Sequence, residues 1–455
     1  MTPITTSIFE LFKIGPGPSS SHTIGPMKAG FDFITHVRTL PETVLAASQA
    51  IEVRLYGSLS ATGRGHGTDR AVLAGLLGEN PQTCSAAFID SLNHDEGSKY
   101  PVVVGSRIFY LSWDAIIFDA FEHDFPYNNT LRIRLLGEGG AVVFEREYYS
   151  VGGGFIQWKG QNETSPGQPV YPYSTMEELK KILRSENIRL HELMLANEKA
   201  ITGAAEKQIM DGLDTIVATM EESVETGIHT EGILPGPIGL HRKASVLYQR
   251  ACKTTQSTDH LMVALSAYAF ATAEENAAGH RIVTAPTAGS SGVMPAIMYV
   301  LKNHRHIAPQ ALREGLLASA SVGFLARHNA SIAGADVGCQ GEIGVASAMA
   351  ASLLTYAQGY RFQVTENAAE IALEHHLGLT CDPVLGYVQI PCIERNAMGA
   401  LKAYTAFLIA SAEIPGNHKV DLDQTIRAMA ETGRDMCAKY KETSLGGLAL
   451  SVVQC

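Results

Sequence analysis

Apolar and polar residues alternate along two early stretches of the chain. In residues 51–55 the apolar positions are separated by Glu52 and Arg54, and residues 131–135 repeat this spacing. A period of two predicts half-buried strands. Turn-forming residues at 137–140 precede a third strand-like stretch, 141–149, which predicts a hairpin. Residues 69–77 have helical spacing, with Thr68 or Asp69 as N-cap, so we predict an α/β domain over residues 1–155.

The pattern changes in the rest of the chain. Residues 156–175 are rich in Gly, Pro, Asn, Gln and Ser without a sustained period, which predicts a linker. Thr175 and Glu178 then form the pattern of a capping box. Beyond it, helical spacing recurs and strand patterns are nearly missing, so we predict an all-helical domain over 176–455 and an α+β fold. The helical runs are 177–195, 205–224, 258–273, 309–326, 346–356 and 422–440.

Composition and charge narrow the class of partner. Of 455 residues, 45% are hydrophobic and 18% are charged, a balance that favours buried cores over disorder. The formal net charge of -11 disfavours binding to nucleic acid or to anionic membranes. No apolar run reaches the roughly 18 residues of a membrane span, and the first residues lack the pattern of a signal peptide. We expect a cytoplasmic protein that binds a small molecule.

Three of the seven cysteines lie in stretches rich in Gly and Pro, between predicted helices: Cys339, Cys381 and Cys392. Thiolates in such stretches can point at a shared ion without disturbing a helix. Three thiolates with one open position suit a Lewis-acid iron or zinc site. Because there is no C-x-x-C pair, the spacing alone is equally consistent with buried structural thiols.

A loop of small residues forms a second candidate site. Thr287, Ala288, Gly289 and Ser290 precede a helical run that begins at Val293. Backbone N–H groups and hydroxyls at the positive end of a helix suit a carboxylate or a phosphate. The same composition also serves as an ordinary helix cap, and the sequence leaves both interpretations open.

Two histidines have unusual neighbours. His22 follows Ser19, Ser20 and Ser21, and His66 lies between two glycines. Glycine offers no side chain for packing, so packing explains His66 poorly. The pKa of histidine lies near neutrality, which makes either residue a candidate general base. The alternatives are a loop tip for His66 and an N-cap segment for the serines.

In order and local context, these motifs resemble the iron–sulfur L-serine dehydratase family in its single-chain form. The resemblance covers almost the whole chain: the two histidine segments match the β domain of the family, and residues 276–292 with the three cysteine segments match its α domain. It implies a [4Fe-4S] cluster on Cys339, Cys381 and Cys392, with the fourth iron open to substrate. It also implies that the N-terminal domain is similar to an allosteric substrate-binding domain.

The resemblance further implies an activity, to which we assign candidate residues. The expected reaction is the dehydration and deamination of L-serine to pyruvate and ammonia by a homodimer. We predict His66 as the base that takes the α-proton, with His22 as the second candidate. The predicted substrate contacts are Ser19, Ser20, Ser21, Asn276, Thr287, Ala288, Gly289 and Ser290.

Cys455, the last residue given, suggests a further metal ligand. It carries a β-sulfur and a free α-carboxylate, the counterparts of the β-oxygen and α-carboxylate of serine. We expect that it can occupy the open iron in place of substrate. The alternative is a frayed tail with an uninvolved thiol.

Two other functions compete with this interpretation. A pyridoxal-phosphate dehydratase would need a Schiff-base lysine and a glycine-rich phosphate loop, and the sequence has no Ser-x-Lys-x-Arg-Gly type of segment. A serine-sensing regulatory protein would instead use the cysteines for a structural zinc ion. The metal content of the protein separates the enzyme from this regulator.

Overall fold

The computed structural model describes residues 2–92, 95, 97–105, 107–151, 154, 156–161, 167–253, 258–414 and 417–451. The chain divides into two compact units. The mixed unit consists of Lys13–Thr164 with Ala278–Arg281, and the helical unit consists of Met1–Phe12, Ser165–Ala277 and Ile282–Cys455. Strands are concentrated in the first unit and helices in the second, which confirms the predicted α+β class.

The strands, in chain order, are β1 (Ile14–Pro16), β2 (Ala50–Gly57), β3 (Tyr100–Val104), β4 (Arg107–Leu111), β5 (Ile116–Phe118), β6 (Asn129–Leu136), β7 (Val142–Ser150), β8 (Ile156–Trp158) and β9 (Arg281–Val283). The α-helices are α1 (Ile8–Leu11), α2 (Gly25–Val37), α3 (Glu42–Ala47), α4 (Ser58–Ala61), α5 (Gly63–His66), α6 (Thr68–Leu76), α7 (Ala86–Ser91), α8 (Met176–Glu186), α9 (Leu190–Thr202), α10 (Glu206–His229), α11 (Ala244–Lys253), α12 (His260–Ala278), α13 (Val293–Tyr299), α14 (Pro309–Asn329), α15 (Gly334–Val337), α16 (Val345–Tyr356), α17 (Phe362–Glu374), α18 (Cys392–Ala412), α19 (Leu422–Asp435) and α20 (Leu448–Ser451). Wider, π-helical turns cover Ser20–Ile24, Val300–His304 and Gln340–Gly344, and 3-10 turns cover Trp113–Ala115, Glu138–Gly140, Val384–Gly386 and Ala438–Tyr440.

The mixed unit is built on a five-stranded sheet with the order β5-β2-β6-β7-β8. The predicted strands are present, and β6 and β7 form the predicted hairpin, in which Leu131 faces Tyr148 and Leu135 faces Phe144. The strand β8 pairs with β7, so the segment expected to begin a linker instead extends the sheet. Three residues are too few to show a period in the sequence.

Two helices of the mixed unit, α2 and α6, approach until their backbones touch. A Cβ atom on Gly75 would lie 2.0 Å from the carbonyl oxygen of Met27, and one on Gly30 would lie 2.6 Å from that of Val72. The helix α6 has Gly67 as its N-cap, which corrects the prediction of Thr68 or Asp69. Gly67 has φ +66° and ends α5 as well, a backbone conformation that favours glycine.

The helical unit contains the predicted helices, with two differences. The first run, 177–195, is split into α8 and α9, because Asn187 adopts φ 52° and ends α8. Thr175 is the N-cap of α8 as predicted, but the Glu178 carboxylate accepts from Ser174. The helix α16 lies at the centre of the unit, with all of its residues buried. Within the described ranges, no helix is long and apolar enough to cross a membrane.

The first twelve residues belong to the helical unit rather than to the N-terminal domain predicted over 1–155. Ser7 Oγ and the N–H of Ile8 donate to the Glu198 carboxylate at 2.6 and 2.8 Å. Ile8 and Leu11 are almost fully buried. These contacts join residues that are about 190 positions apart in the chain, which periodicity within a short window cannot reveal.

Candidate functional site

Cys339 lies between a glycine and a wide helical turn. Gly338 has φ +75°, and a Cβ atom there would lie 2.7 Å from the carbonyl oxygen of Leu379, so this position requires glycine. The π-helical turn Gln340–Gly344 follows Cys339 and carries Glu342. Its carboxylate oxygen Oε2 lies 3.8 Å from Cys339 Sγ. Turns of this kind often occur at functional sites.

Cys381 is held in place by its backbone. Its N–H donates to the carbonyl oxygen of Tyr440 at 2.8 Å, and its carbonyl oxygen accepts from the N–H of Glu442 at 2.7 Å. Its sulfur lies 4.0 Å from Glu342 Oε2. One ligand atom from each of Cys339, Glu342 and Cys381 lies within 4.8 Å of the others. This arrangement can hold a metal ion.

Cys392 lies near this group but is not part of it. It is the first residue of α18 and is 9% exposed. Burial raises the pKa of its thiol, and the negative charges of Cys339 and Glu342 raise it further. Asn396, one turn later, donates to the carbonyl oxygens of Cys392 and Gly289 at 2.9 and 2.8 Å. The prediction for Cys455 falls outside the described residues.

The ionisable groups around the sulfurs influence one another's pKa values. The Cys381 thiol donates to Cys339, which lowers the pKa of Cys339 and raises that of Cys381. Burial, followed by the charge of Cys339, raises the pKa of Glu342 to about 8. Protonation therefore limits the negative charge at the site. A bound metal cation would favour deprotonation of the same groups, so the donor set fits a metal or a metal cluster.

The backbones of two glycines lie close to Glu342, and one of them also lies close to the sulfur of Cys381. A Cβ atom on Gly334 would lie 2.8 Å from Glu342 Oε2 and 3.1 Å from Cys381 Sγ. A Cβ atom on Gly289 would lie 3.5 Å from Glu342 Oε1. A methyl group on Gly334 would displace the Glu342 carboxylate or the Cys381 sulfur, whereas one on Gly289 would make an ordinary van der Waals contact. The close approach of Gly334 to two residues of the sulfur group therefore favours glycine at this position.

We expect the Gly334→Ala variant to retain less than about half of the metal of the natural protein, because the added methyl group displaces Glu342 and Cys381. Metal analysis of the purified protein measures this loss. The matched control is Ala335→Ser, which adds one atom at the neighbouring exposed position. Equal metal content in Gly334→Ala and in the natural protein would show that the positions of Glu342 and Cys381 next to Gly334 do not matter for metal binding.

The loop before α13 presents donors next to the sulfur group. Thr287 Oγ1 donates to Glu342 Oε1 at 2.9 Å and lies 3.1 Å from Ser290 Oγ. Among the described residues, nothing accepts from the backbone N–H groups of Ala288, Gly289 and Ser290. Unpaired N–H groups in one short loop can bind an anion. Asn276 is buried on α12, with 1% of its surface exposed.

The two predicted histidines lie together in the mixed unit. Their ring centroids are 4.7 Å apart, and both residues are buried. Burial, followed by the charge of His66, lowers the pKa of His22 to about 3. Burial also lowers the pKa of His66. Both rings are therefore neutral at pH 7, the form in which a histidine can accept a proton.

Hydrogen bonds distinguish the two rings. The hydroxyl of Thr62 donates to Ser58 O at 3.0 Å and therefore accepts from His22 Nε2, which lies 2.9 Å away. The other ring nitrogen of His22 accepts from Ser21 Oγ at 2.9 Å, so both nitrogens are engaged. His66 Nδ1 lies 2.9 Å from the carbonyl oxygen of Thr62 and therefore donates to it. Within the described part of the chain, His66 Nε2 has no partner, which leaves its lone pair available.

The three serines play different parts in this arrangement. Ser21 contacts His22, as described, and Ser19 Oγ lies 3.4 Å from Ser21 Oγ. Ser20 begins the π-helical turn, and its carbonyl oxygen accepts from the N–H of Gly25. All three serines are half-buried. Sequence reasoning found this segment but missed Thr62, which contacts a histidine 40 residues away in the chain.

We expect Thr62→Val to disturb His22 and leave His66 in place, because valine keeps the carbonyl group but lacks the hydroxyl. The loss of one hydrogen bond corresponds to about a threefold to tenfold decrease in kcat. The Nε2–H of His22 still donates to the carbonyl oxygen of Ser58 at 3.2 Å, so the imidazole 15N chemical shifts should move for His22 alone without a change of tautomer. Thr39→Val, at an exposed threonine outside the cluster, is the control; equal spectra for both variants would contradict the assigned role of Thr62.

Two protein families match this chain, one in its N-terminal part and one in its C-terminal part. The family described as serine dehydratase beta chain matches residues 7–161, and the family described as serine dehydratase alpha chain matches residues 185–449. The chain belongs to the serine dehydratase family. This membership confirms the resemblance found in the motifs.

Curated relatives align with this chain over nearly their full length. An L-serine dehydratase of Haemophilus influenzae is 42% identical, with 98% of this chain and 99% of the relative covered. An L-serine dehydratase of Streptomyces coelicolor is also 42% identical, with 99% of each chain covered. The protein named L-serine dehydratase 2 of Escherichia coli is 41% identical, again with 99% of each covered.

Proposed function

We propose that this protein is an L-serine ammonia-lyase that converts L-serine to pyruvate and ammonia with a [4Fe-4S] cluster on Cys339, Cys381 and Cys392. One observation carries the proposal. The buried sulfurs of Cys339 and Cys381 and a carboxylate oxygen of Glu342 all lie within 4.8 Å of one another. The relatives named L-serine dehydratase, at 41–42% identity, support the same substrate and reaction.

The cysteines suit such a cluster because they come from three separate segments. Cys339, Cys381 and Cys392 would hold the cluster, with Cys392 near the close group formed by the other two cysteines and Glu342. Three protein ligands would leave one iron of the cluster for substrate. When bound, such a cluster supplies a Lewis acid that polarises the β-hydroxyl of serine. In this proposal Cys455 competes with substrate for that iron.

The loop before α13 binds the carboxylate of serine in this proposal. The N–H groups of Ala288, Gly289 and Ser290 supply donors that have no partner within the described residues. The hydroxyl of Thr287 supplies another, once it turns from Glu342. Donors that are fixed before substrate arrives stabilise an anion without further reorganisation. Asn276, Ser19, Ser20 and Ser21 remain predicted substrate contacts.

His66 acts as the general base in this proposal. Its Nε2 takes the α-proton of serine, and the electrons of that C–H bond form the α,β double bond as the C–O bond breaks. Hydroxide leaves, and the resulting aminoacrylate tautomerises to an imine. Water then hydrolyses the imine to pyruvate and ammonia, so one water is lost and one is consumed. His22 has both nitrogens engaged and is assigned to hold the ring of His66.

The close group of Cys339, Glu342 and Cys381 also suits a second candidate, a serine-sensing regulatory protein with one structural zinc ion. Metal and sulfide analysis after anaerobic purification separates the two functions. About four irons and four sulfides per chain support the lyase. About one zinc per chain without sulfide supports the regulator and contradicts the proposed cluster.

We also propose that the protein is a homodimer in the cytoplasm. The resemblance favours a homodimer, which sedimentation of the purified protein measures directly. The cysteines among the described residues are free thiols, in agreement with the reducing cytoplasm that we predict.

A further inference from the structure

A cavity in the helical unit is lined by residues other than those of the sulfur group. Its volume is about 410 Å³, and it is formed by the end of α8, the start of α9 and the connection from α16 to α17. Four cationic side chains line it: Lys180, Arg184, Arg189 and Arg361. None of its lining residues is acidic. In a chain with net charge -11, this positive charge is a local feature, and it favours an anionic ligand.

Two of the four cations are already neutralised. Lys180 Nζ lies 2.7 Å from Glu366 Oε1, and Arg189 lies 3.6 Å from the carboxylate of Glu314. By contrast, Arg184 and Arg361 make no ion pair or side-chain hydrogen bond within the described ranges. Two guanidinium groups at one cavity are therefore available to an anion. A guanidinium binds phosphate through two parallel N–H donors.

The backbone adds donors at the same place. The helix α17 is 13 residues long, and its N-cap, Arg361, makes no side-chain capping bond. The N–H groups of Phe362 and Gln363 have no acceptor among the described residues. The positive end of α17 thus opens on the cavity beside the free guanidinium of Arg361, and both favour the same anion.

The rest of the cavity is apolar and aromatic. Tyr356, Tyr360 and Phe362 line it together with Leu183 and Ile188. Tyr360 is 38% exposed. Such a wall gives no advantage to inorganic phosphate, but it can pack against a flat ring. The volume suits one small molecule, and the aromatic rings with the guanidinium groups suit a ligand that is anionic at one end and planar at the other.

We propose that this cavity binds a nucleoside monophosphate. The phosphate contacts Arg184, Arg361 and the first N–H groups of α17, and the base packs against Tyr360 and Phe362. This site is independent of the proposed lyase activity.

Calorimetric titration of the full-length protein with AMP at low salt tests the proposal. We expect a dissociation constant below about 1 mM and at least about a tenfold increase in the double variant Arg184→Gln/Arg361→Gln. The matched control is Arg427→Gln/Arg434→Gln, which removes two charges from exposed arginines of α19 and should bind AMP as the natural protein does. Adenosine and inorganic phosphate should each bind at least about tenfold more weakly than AMP.

Three results would overturn the proposal. The first is AMP binding that is absent, or equal in the two double variants. The second is inorganic phosphate that binds as tightly as AMP, which would remove the role of the aromatic wall. The third is a pair of findings: the natural protein does not bind AMP, and Arg184→Gln/Arg361→Gln changes its oligomeric state. Together they would show that the cavity is an interface between copies of this chain.

Discussion

The Cys392→Ser variant is expected to lose the iron–sulfur absorbance. Its rate of conversion of serine to pyruvate should decrease at least about a thousandfold. A serine hydroxyl is a poor ligand for iron compared with a thiolate. Cys392 is buried, and the helix α18 holds it at its first residue. Iron analysis and an anaerobic pyruvate assay measure the two losses together.

The matched control is Cys437→Ser, at an exposed thiol of the same unit, which should keep both iron and activity. A Cys392→Ser protein with a full complement of iron and sulfide would remove this residue from the ligand set. In that case Cys339, Glu342 and Cys381 would remain as the metal ligands. This is the ligand set of the second candidate function, a serine-sensing regulator with one zinc ion.

The His66→Asn variant should lose about a hundredfold to ten-thousandfold in kcat while it keeps its iron. Asparagine can still donate to the carbonyl oxygen of Thr62 but has no basic nitrogen. His22→Asn should lose less, because both nitrogens of His22 are engaged and its proposed role is to support His66. A greater loss in His22→Asn than in His66→Asn would reverse the assignment of the base.

The pH dependence of the natural protein gives a second test of His66. Burial lowers the pKa of His66, so the ring stays neutral to a lower pH than an exposed histidine. As pH falls, kcat/KM should therefore remain level through 6.5, the ordinary pKa of histidine, and decrease only below it. Activity that is half lost at or above pH 6.5 would contradict the neutral, buried base.

The sequence predicted the parts of the fold that have a clear period. The hairpin of β6 and β7 and most long helices follow directly from apolar spacing. The break between α8 and α9 was missed because the helical spacing of apolar residues continues across it, although Asn187 is of a residue type that often ends a helix in the left-handed conformation. The attachment of residues 1–12 to the helical unit depends on Glu198, a contact distant in sequence.

The candidate site was predictable to a similar extent. The three cysteine segments could be found because Gly or Pro lies near each cysteine, although Cys392 itself begins α18 rather than lying between helices. Glu342 has no such signal, since a glutamate next to a helix is common; only the wide turn after Cys339 brings it to both sulfurs. The engagement of both nitrogens of His22 depends on Thr62 and Ser21, and the geometry of one hydroxyl cannot be read from spacing.

The central claim is tested most directly by one assay, the anaerobic conversion of L-serine by protein reconstituted with iron and sulfide. The proposed function predicts pyruvate and ammonia in equal amounts, activity that increases with bound iron, and none in the metal-free protein. Equal activity in the metal-free and reconstituted proteins, or no activity in a protein that holds its full iron and sulfide, would contradict it.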